Sequence, residues 1–149
     1  MPVELITDAS PELEKAFAQL IPQLSGSSAA VDIEKLEELL QQQCIDLLVY
    51  RPEEPNEDGV HPILGMLTLV TFEIPTGPRA WIEDVVVDDA ARGHGAGRAL
   101  VEAAIDLAKR RGAKTVDLTS RPSREAANRL YRRTGFEARD TNVYRIQNV

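Results

Sequence analysis

The sequence predicts a single mixed α/β domain over residues 1–149. Three observations lead to that class. Segments with helical spacing of apolar residues alternate with short β-prone runs, in the order β-α-α-β-β-β-α-β-α-β-β. A valine-rich strand passes through a glycine-rich loop into a long helix, the start of a strand–helix–strand unit. The length of 149 residues suits one globular domain with one core.

Each element has a local reason. Residues 3–7 read as a short strand. Ser10 is a plausible N-cap for a helix over 11–24, whose Leu13, Phe17, Leu20, Ile21 and Leu24 form one apolar stripe. Gly26-Ser27-Ser28 breaks the chain. Asp32 caps a second helix carrying Leu36, Leu39 and Leu40. Residues 45–50 are an apolar strand, and the Pro-, Glu- and Asn-rich stretch 51–62 is a loop. Residues 63–74 form a long strand, 75–78 a turn, and 79–87 the next strand. The helix over 95–111 places Ala99, Leu100, Ala103, Ala104, Leu107 and Ala108 at helical spacing. Lys109, Arg110 and Arg111 fill its last turn, and Gly112 stops it. A strand over 115–119 follows, then a helix capped by Ser123 and ended by Gly135. Strands over 136–139 and 142–146 close the chain, which gives about six to seven strands and about four helices.

Composition excludes several classes. No apolar run approaches the ~20 residues that span a bilayer. The start Met1-Pro2-Val3-Glu4-Leu5 lacks the basic and apolar regions of a signal peptide. Cys44 is the only cysteine, so no internal disulfide forms, and it reads as a small buried residue before a strand. A cytoplasmic location and no membrane partner are therefore expected. The net charge of −7 argues against nucleic acid. Residues 1–78 hold three basic and 14 acidic side chains (−11), and residues 79–149 hold 14 basic and 10 acidic (+4), which together give −7. That asymmetry suits an anionic cofactor beside a cationic substrate, or is simply an uneven solvated surface. His61 and His94 have no metal-ligand spacing around them, so no metal is expected.

The stretch from Val85-Val86-Val87 through Arg92-Gly93-His94-Gly95-Ala96-Gly97-Arg98 is the most informative. Glycines allow backbone amides to approach a ligand, and a helix N-terminus offers free N–H groups with a positive dipole end. Such a loop can hold phosphates. A P-loop would need Lys-Ser or Lys-Thr after the last glycine, where Arg98-Ala99 stands. A dinucleotide fingerprint would need glycine at 98. A third pattern, Gln/Arg-x-x-Gly-x-Gly/Ala, is matched by Arg92, Gly95 and Gly97, or else the stretch is a glycine-rich turn that only connects strand and helix.

That pattern, in this context, resembles the GNAT superfamily of acetyl-CoA-dependent N-acetyltransferases. Ile82-Glu83-Asp84, the valines, the glycine loop and the long helix come in the family's order. Asn128-Arg129-Leu130-Tyr131-Arg132-Arg133-Thr134-Gly135-Phe136 then looks like its Asn-x-x-Tyr-x-x-x-Gly-Phe signature. Residues 79–146 carry the likeness, whereas 1–78 fit by element order. The resemblance implies a GNAT-like, mostly antiparallel sheet that splays between strands 81–87 and 115–119. It implies that the pantetheine arm lies in the splay as an added strand beside Val85, Val86 and Val87. The pyrophosphate would sit on amides between Arg92 and Gly97, including Gly93, His94, Gly95 and Ala96. Arg98 and Asn128 would assist. An amide of Val86 or Val87 would serve as oxyanion donor.

The family's chemistry, direct attack by an amine on a thioester, points to named residues. Tyr131 is the candidate acid for the departing thiolate, or else a core tyrosine. Glu83 is the candidate base, or else an acceptor-binding or structural carboxylate. Alternation on the strand puts Trp81, Glu83, Val85 and Val87 on one face and Ile82, Asp84 and Val86 on the other. Asp84 is expected to be structural, paired with an amide or an arginine. His94 is expected as a solvent-facing spacer. The expected acceptor is a small-molecule or peptide primary amine, cationic in view of the acidic front half. Similar proteins often form homodimers. The alternative is a noncatalytic CoA-binding or interaction domain on the same fold.

Overall fold

The computed structural model describes residues 2–149. The elements are β1 (Val3–Ile6), α1 (Pro11–Leu24), α2 (Ile33–Gln41), β2 (Ile45–Tyr50), β3 (Gly65–Ile74) and β4 (Gly77–Val87). A 3-10 turn (Asp89–Ala91), α3 (Ala96–Arg110), β5 (Val116–Asp117) and α4 (Glu125–Arg133) follow. The chain divides into two compact units, one ending at Thr119 and one over Ser120–Val149.

In the first unit the sheet order is β1-β2-β3-β4-β5. The neighbours from β1 to β4 are antiparallel, and β5 joins β4 in parallel. The caps form as expected. Ser10 Oγ accepts from Leu13 N at 3.1 Å, and Asp32 Oδ1 accepts from Lys35 N at 2.9 Å. On one sheet face Leu13, Phe17 and Leu20 of α1 and Leu36 of α2 pack over Leu47, Val49, Met66 and Val86. The register puts Leu48, Tyr50, Leu67, Leu69 and Ile82 on the opposite face, beneath α3. The C-terminal end of α3 is tied to that face. Arg111 donates to Asp46 from Nη2 at 2.7 Å and from Nε at 3.1 Å. Asp46 is buried, and the fork of two parallel bonds fixes the angle at which α3 leaves the sheet.

The structure corrects several expectations. Among the described residues the sheet has five strands, and residues 136–139 and 142–146 form none of them. The second unit contains α4 and no strand among the described residues, so these β-prone runs have no ladder partner within it. Val143, Tyr144 and Ile146 are exposed. The strand expected over 115–119 narrows to Val116–Asp117. Ser123 does not cap α4, because Arg124 N donates to Arg121 O at 3.0 Å and a turn occupies that place. Cys44 is exposed at the turn before β2, not buried.

Gly65 shows how tightly α3 lies on the sheet. A Cβ there would stand 3.1 Å from Leu100 Cδ1, 3.2 Å from Tyr50 Cβ and 3.3 Å from Val86 O. Gly65→Val should therefore cost about 1–3 kcal/mol of stability by overpacking. Urea unfolding checks this, and an unchanged midpoint would refute the close approach of α3.

Candidate active site

The β4–β5 ladder consists of Ala80 with Val116 and Trp81 with Asp117, and there it ends. Strand β4 runs on through residues 82–87, paired only with β3. This is the expected splay, and it leaves one edge of residues 82–87 without a strand partner.

That free stretch contains a β-bulge. Thr68 pairs with Glu83 and Met66 pairs with Val86, so Asp84 and Val85 together oppose the single residue Leu67. Asp84 takes the strained position at φ 50. Its structural role is conformational, and the expected pairing with an amide or arginine gives way to this one. The extra residue also overturns the simple alternation expected along the strand. Beyond it Val86 lies on the face of Trp81 and Glu83 and joins the core beneath α1. Val85 and Val87 are half-buried. Glu83 is exposed, and its Oε1 accepts from Trp81 Nε1 at 2.8 Å. The indole therefore steers the carboxylate along the face of the strand that Val86 shares.

Beyond Val87 the chain enters the loop through Asp88. This side chain is 7% exposed, and its Oδ1 accepts from Ala90 N at 2.9 Å. That amide bond, followed by the Gln23 amide, holds the Asp88 carboxyl below the usual carboxylate range against the opposing effect of burial. Gly93 and Gly95 sit at φ +81 and +75, where an L side chain is strained. Nothing lies within 4 Å of the Cβ position at either glycine, so the loop surface is open. Gly95 is the N-cap of α3 and offers no side-chain bond. The first-turn amides of Ala96, Gly97 and Arg98 thus lack intrahelical acceptors and sit at the positive end of the helix dipole. An open backbone cradle with free amides fits a diphosphate. Arg92 pairs with Asp89 at 2.9 Å and Arg98 with Glu102 at 2.6 Å, all four side chains being largely exposed. Exposed pairs of this kind hold each other by ~0–1 kcal/mol, so an arriving anion can recruit both arginines. His94 is exposed, as expected of a spacer. On the Glu53–Glu54 side of the loop a cavity of about 530 Å³ is lined by Tyr50, Glu53, Glu54, Leu64, His94 and Gly95. Its two glutamates make it a poor site for phosphate.

In the second unit, Asn128 Nδ2 donates to Arg121 O at 3.0 Å and pins the turn before α4. Tyr131 is 7% exposed, with its ring edge-on to Phe136 at 5.9 Å between centroids. Burial pushes the Tyr131 phenol up, and the charge of Arg124 opposes that shift.

Residues 25–136 match the acetyltransferase (GNAT) family. The chain is a member of that family. An uncharacterized N-acetyltransferase of Methanocaldococcus jannaschii is 39% identical over 61 residues, covering 41% of this chain and 27% of that protein. The chain thus spans about a quarter of the length of this curated relative. Two solved structures share the GNAT fold. One is an aminoglycoside acetyltransferase from an uncultured soil metagenomic sample, in complex with trehalose, with TM-score 0.80, 22% identity and coverage of 99% of this chain and 95% of that one. The other is glucosamine-6-phosphate N-acetyltransferase from Arabidopsis thaliana, with TM-score 0.78, 21% identity and coverage of 99% and 100%.

Sequence reasoning passed over Asp88 and its partners Gln19 and Gln23 on α1. An aspartate just before a turn is a local capping signal, whereas the glutamines lie 69 and 65 positions away and leave none.

The geometry separates two glycines of this GNAT loop. Gly95→Ala should lose about 1–2 kcal/mol because Gly95 is left-handed. Gly97→Ala, in the first turn of α3, should be neutral or gain up to ~1 kcal/mol. Equal effects in thermal unfolding would contradict the loop conformation.

Proposed function

We propose that this chain is an acetyl-CoA-dependent N-acetyltransferase acting on a primary amine by direct attack, with residues 1–149 as one catalytic domain in the cytoplasm. One observation carries the reading most. A strand edge without a strand partner among the described residues leads, through one turn and the glycine loop, to a helix start whose first amides have no intrahelical acceptor. The first suits an extended amide-bearing arm, and the second suits a pyrophosphate. Acetyl-CoA has both, in that order.

The roles follow from the resemblance and from the chemistry of each group. The backbone of Val85, Val86 and Val87 would bind the arm, with an amide of Val86 or Val87 as donor to the developing oxyanion. Arg92, Gly93, His94, Gly95, Ala96, Gly97 and Arg98 would hold the pyrophosphate, and Asn128 would lie near the arm. Glu83 would accept a proton from the amine, directly or through water. The nitrogen then bonds to the acetyl carbon as the carbon–sulfur bond breaks. Tyr131 would give its phenolic proton to the departing sulfur, leaving an amide and a free thiol. A phenol carries its proton at neutral pH, and burial, which raises the Tyr131 pKa, makes it release that proton only as the sulfur takes up charge.

The test is turnover by the purified chain with acetyl-CoA and a panel of primary amines, read as thiol release. Binding of acetyl-CoA without turnover on any amine would favour the noncatalytic CoA-binding reading instead. Tyr131→Phe should lower kcat by ~10²-fold or more with little change in the acetyl-CoA Kd. An unchanged kcat would return Tyr131 to a packing role.

The acceptor is proposed to be cationic. Glu34, Glu37 and Glu38 are exposed on α2, and Glu53, Glu54, Glu57 and Asp58 are exposed in the loop before β3. A field of one sign steers the opposite sign, and salt shortens its reach from ~30 Å at 0.01 M to ~3 Å at 1 M. The best acceptor should carry additional positive charge, and its kcat/KM should fall steadily with added salt. A neutral best acceptor, or a flat salt profile, would reduce the acidic surface to a solubility feature.

A further inference from the structure

The residue that shapes the cofactor loop lies outside the glycine motif. We infer that Asp88 is a positioning residue for that loop, and that helix α1 holds the loop in register through Gln19 and Gln23. The inference rests on the reading of residues 92–98 as the pyrophosphate site.

Asp88 joins three parts of the first unit. Its Oδ1 accepts from Ala90 N at 2.9 Å and its main-chain oxygen accepts from Ala91 N at 2.9 Å, which together build the 3-10 turn. Its main-chain N donates to Leu64 O at 2.8 Å, fixing the turn to the start of β3. Its Oδ2 faces α1, where Gln23 Nε2 donates at 3.0 Å and Gln19 Nε2 at 3.4 Å. Gln23 Nε2 also reaches Gln19 O at 3.1 Å, which locks the two glutamines, one helical turn apart, into a single donor surface.

A buried carboxylate is costly unless every lone pair is met. Here it is met by neutral donors, and no lysine or arginine pairs with it among the described residues. A cap alone could be supplied by a neutral serine or asparagine. The second oxygen, turned toward α1, is the part of Asp88 that capping does not require. Its effect falls on the next segment, where the chain reaches Gly93 and Gly95. Glycines adopt many backbone conformations, so a free loop would scatter its amides over several directions. Anchoring the turn that feeds the loop reduces that scatter, and a ligand then meets amides already aimed.

The test uses acetyl-CoA titration and steady-state kinetics on the full chain. Gln23→Leu, on the surface of α1, should raise the acetyl-CoA Kd and KM by about three- to fivefold while kcat at saturation and the KM for amine stay level. Asp88→Ala should raise them by about tenfold or more, and Asp88→Asn, which keeps one acceptor oxygen, should recover part of the loss. Gln23→Leu should have no further effect in the Asp88→Ala background, because it acts only through Asp88. Native binding with unaltered KM in the variants, or with additive effects in the double variant, overturns the positioning role. A drop in Tm alone would show that Asp88 stabilises and does not position. If the native chain itself fails to bind acetyl-CoA, the cofactor reading falls first and this inference falls with it.

Discussion

A backbone hydrogen-bond requirement organises this molecule. Strand β4 is hydrogen-bonded on both edges only as far as Trp81, and from there to Val87 it is supported by β3 alone. A strand edge left bare and buried costs about 1–3 kcal/mol per unmet group, so the fold must leave this edge to water or to an extended ligand. The surrounding features make sense in that light. The core under α1 and α2 and the core under α3 grip β4 by its two faces, so the edge can stay free without the strand coming loose.

Helix α3 is held at both of its ends, by different chemistry. At the C-terminal end, the Arg111 fork onto buried Asp46 is a charge-assisted bond, and the carboxylate raises the guanidinium pKa further above its ordinary value. At the N-terminal end, the Asp88 turn and the positive-φ glycines set the approach. Between the ends, Leu100, Val101, Ala104, Leu107 and Ala108 are buried. A helix fixed in this way presents its first-turn amides as a rigid surface. Rigidity matters because dipoles aimed in advance need no rearrangement when charge arrives.

What could be read from the sequence was what is decided within a few residues. Ser10 and Asp32 reach amides three positions away, and both caps form. The glycine loop was legible because its motif lies within seven consecutive residues, Arg92 to Arg98. The bulge was not, since Asp84 and Val85 sit in an unbroken β-prone run and only their register with Leu67 reveals the extra residue. Residues 136–146 carry strand composition, but a strand exists only with a partner, and composition names none. Cys44 was expected inside because of the strand it precedes, yet the tip of the connection from α2 exposes it. Of the candidate site, Glu83 and the loop residues could be named, whereas the orientation of Glu83 by Trp81 and the anchoring of Asp88 by α1 needed coordinates.

The bulge gives β4 an unusual kind of memory. Before it, even-numbered positions face α3, as Ile82 does, and after it an even-numbered position, Val86, faces α1. The strand is thus read in two frames, with Asp84 and Val85 as the point of change. To a diverging lineage, the letter at Asp84 is limited to the few that accept a left-handed backbone, and the number of letters is fixed more firmly still. Losing one would turn every later side chain of β4 inside out and carry the entrance to the glycine loop round with it.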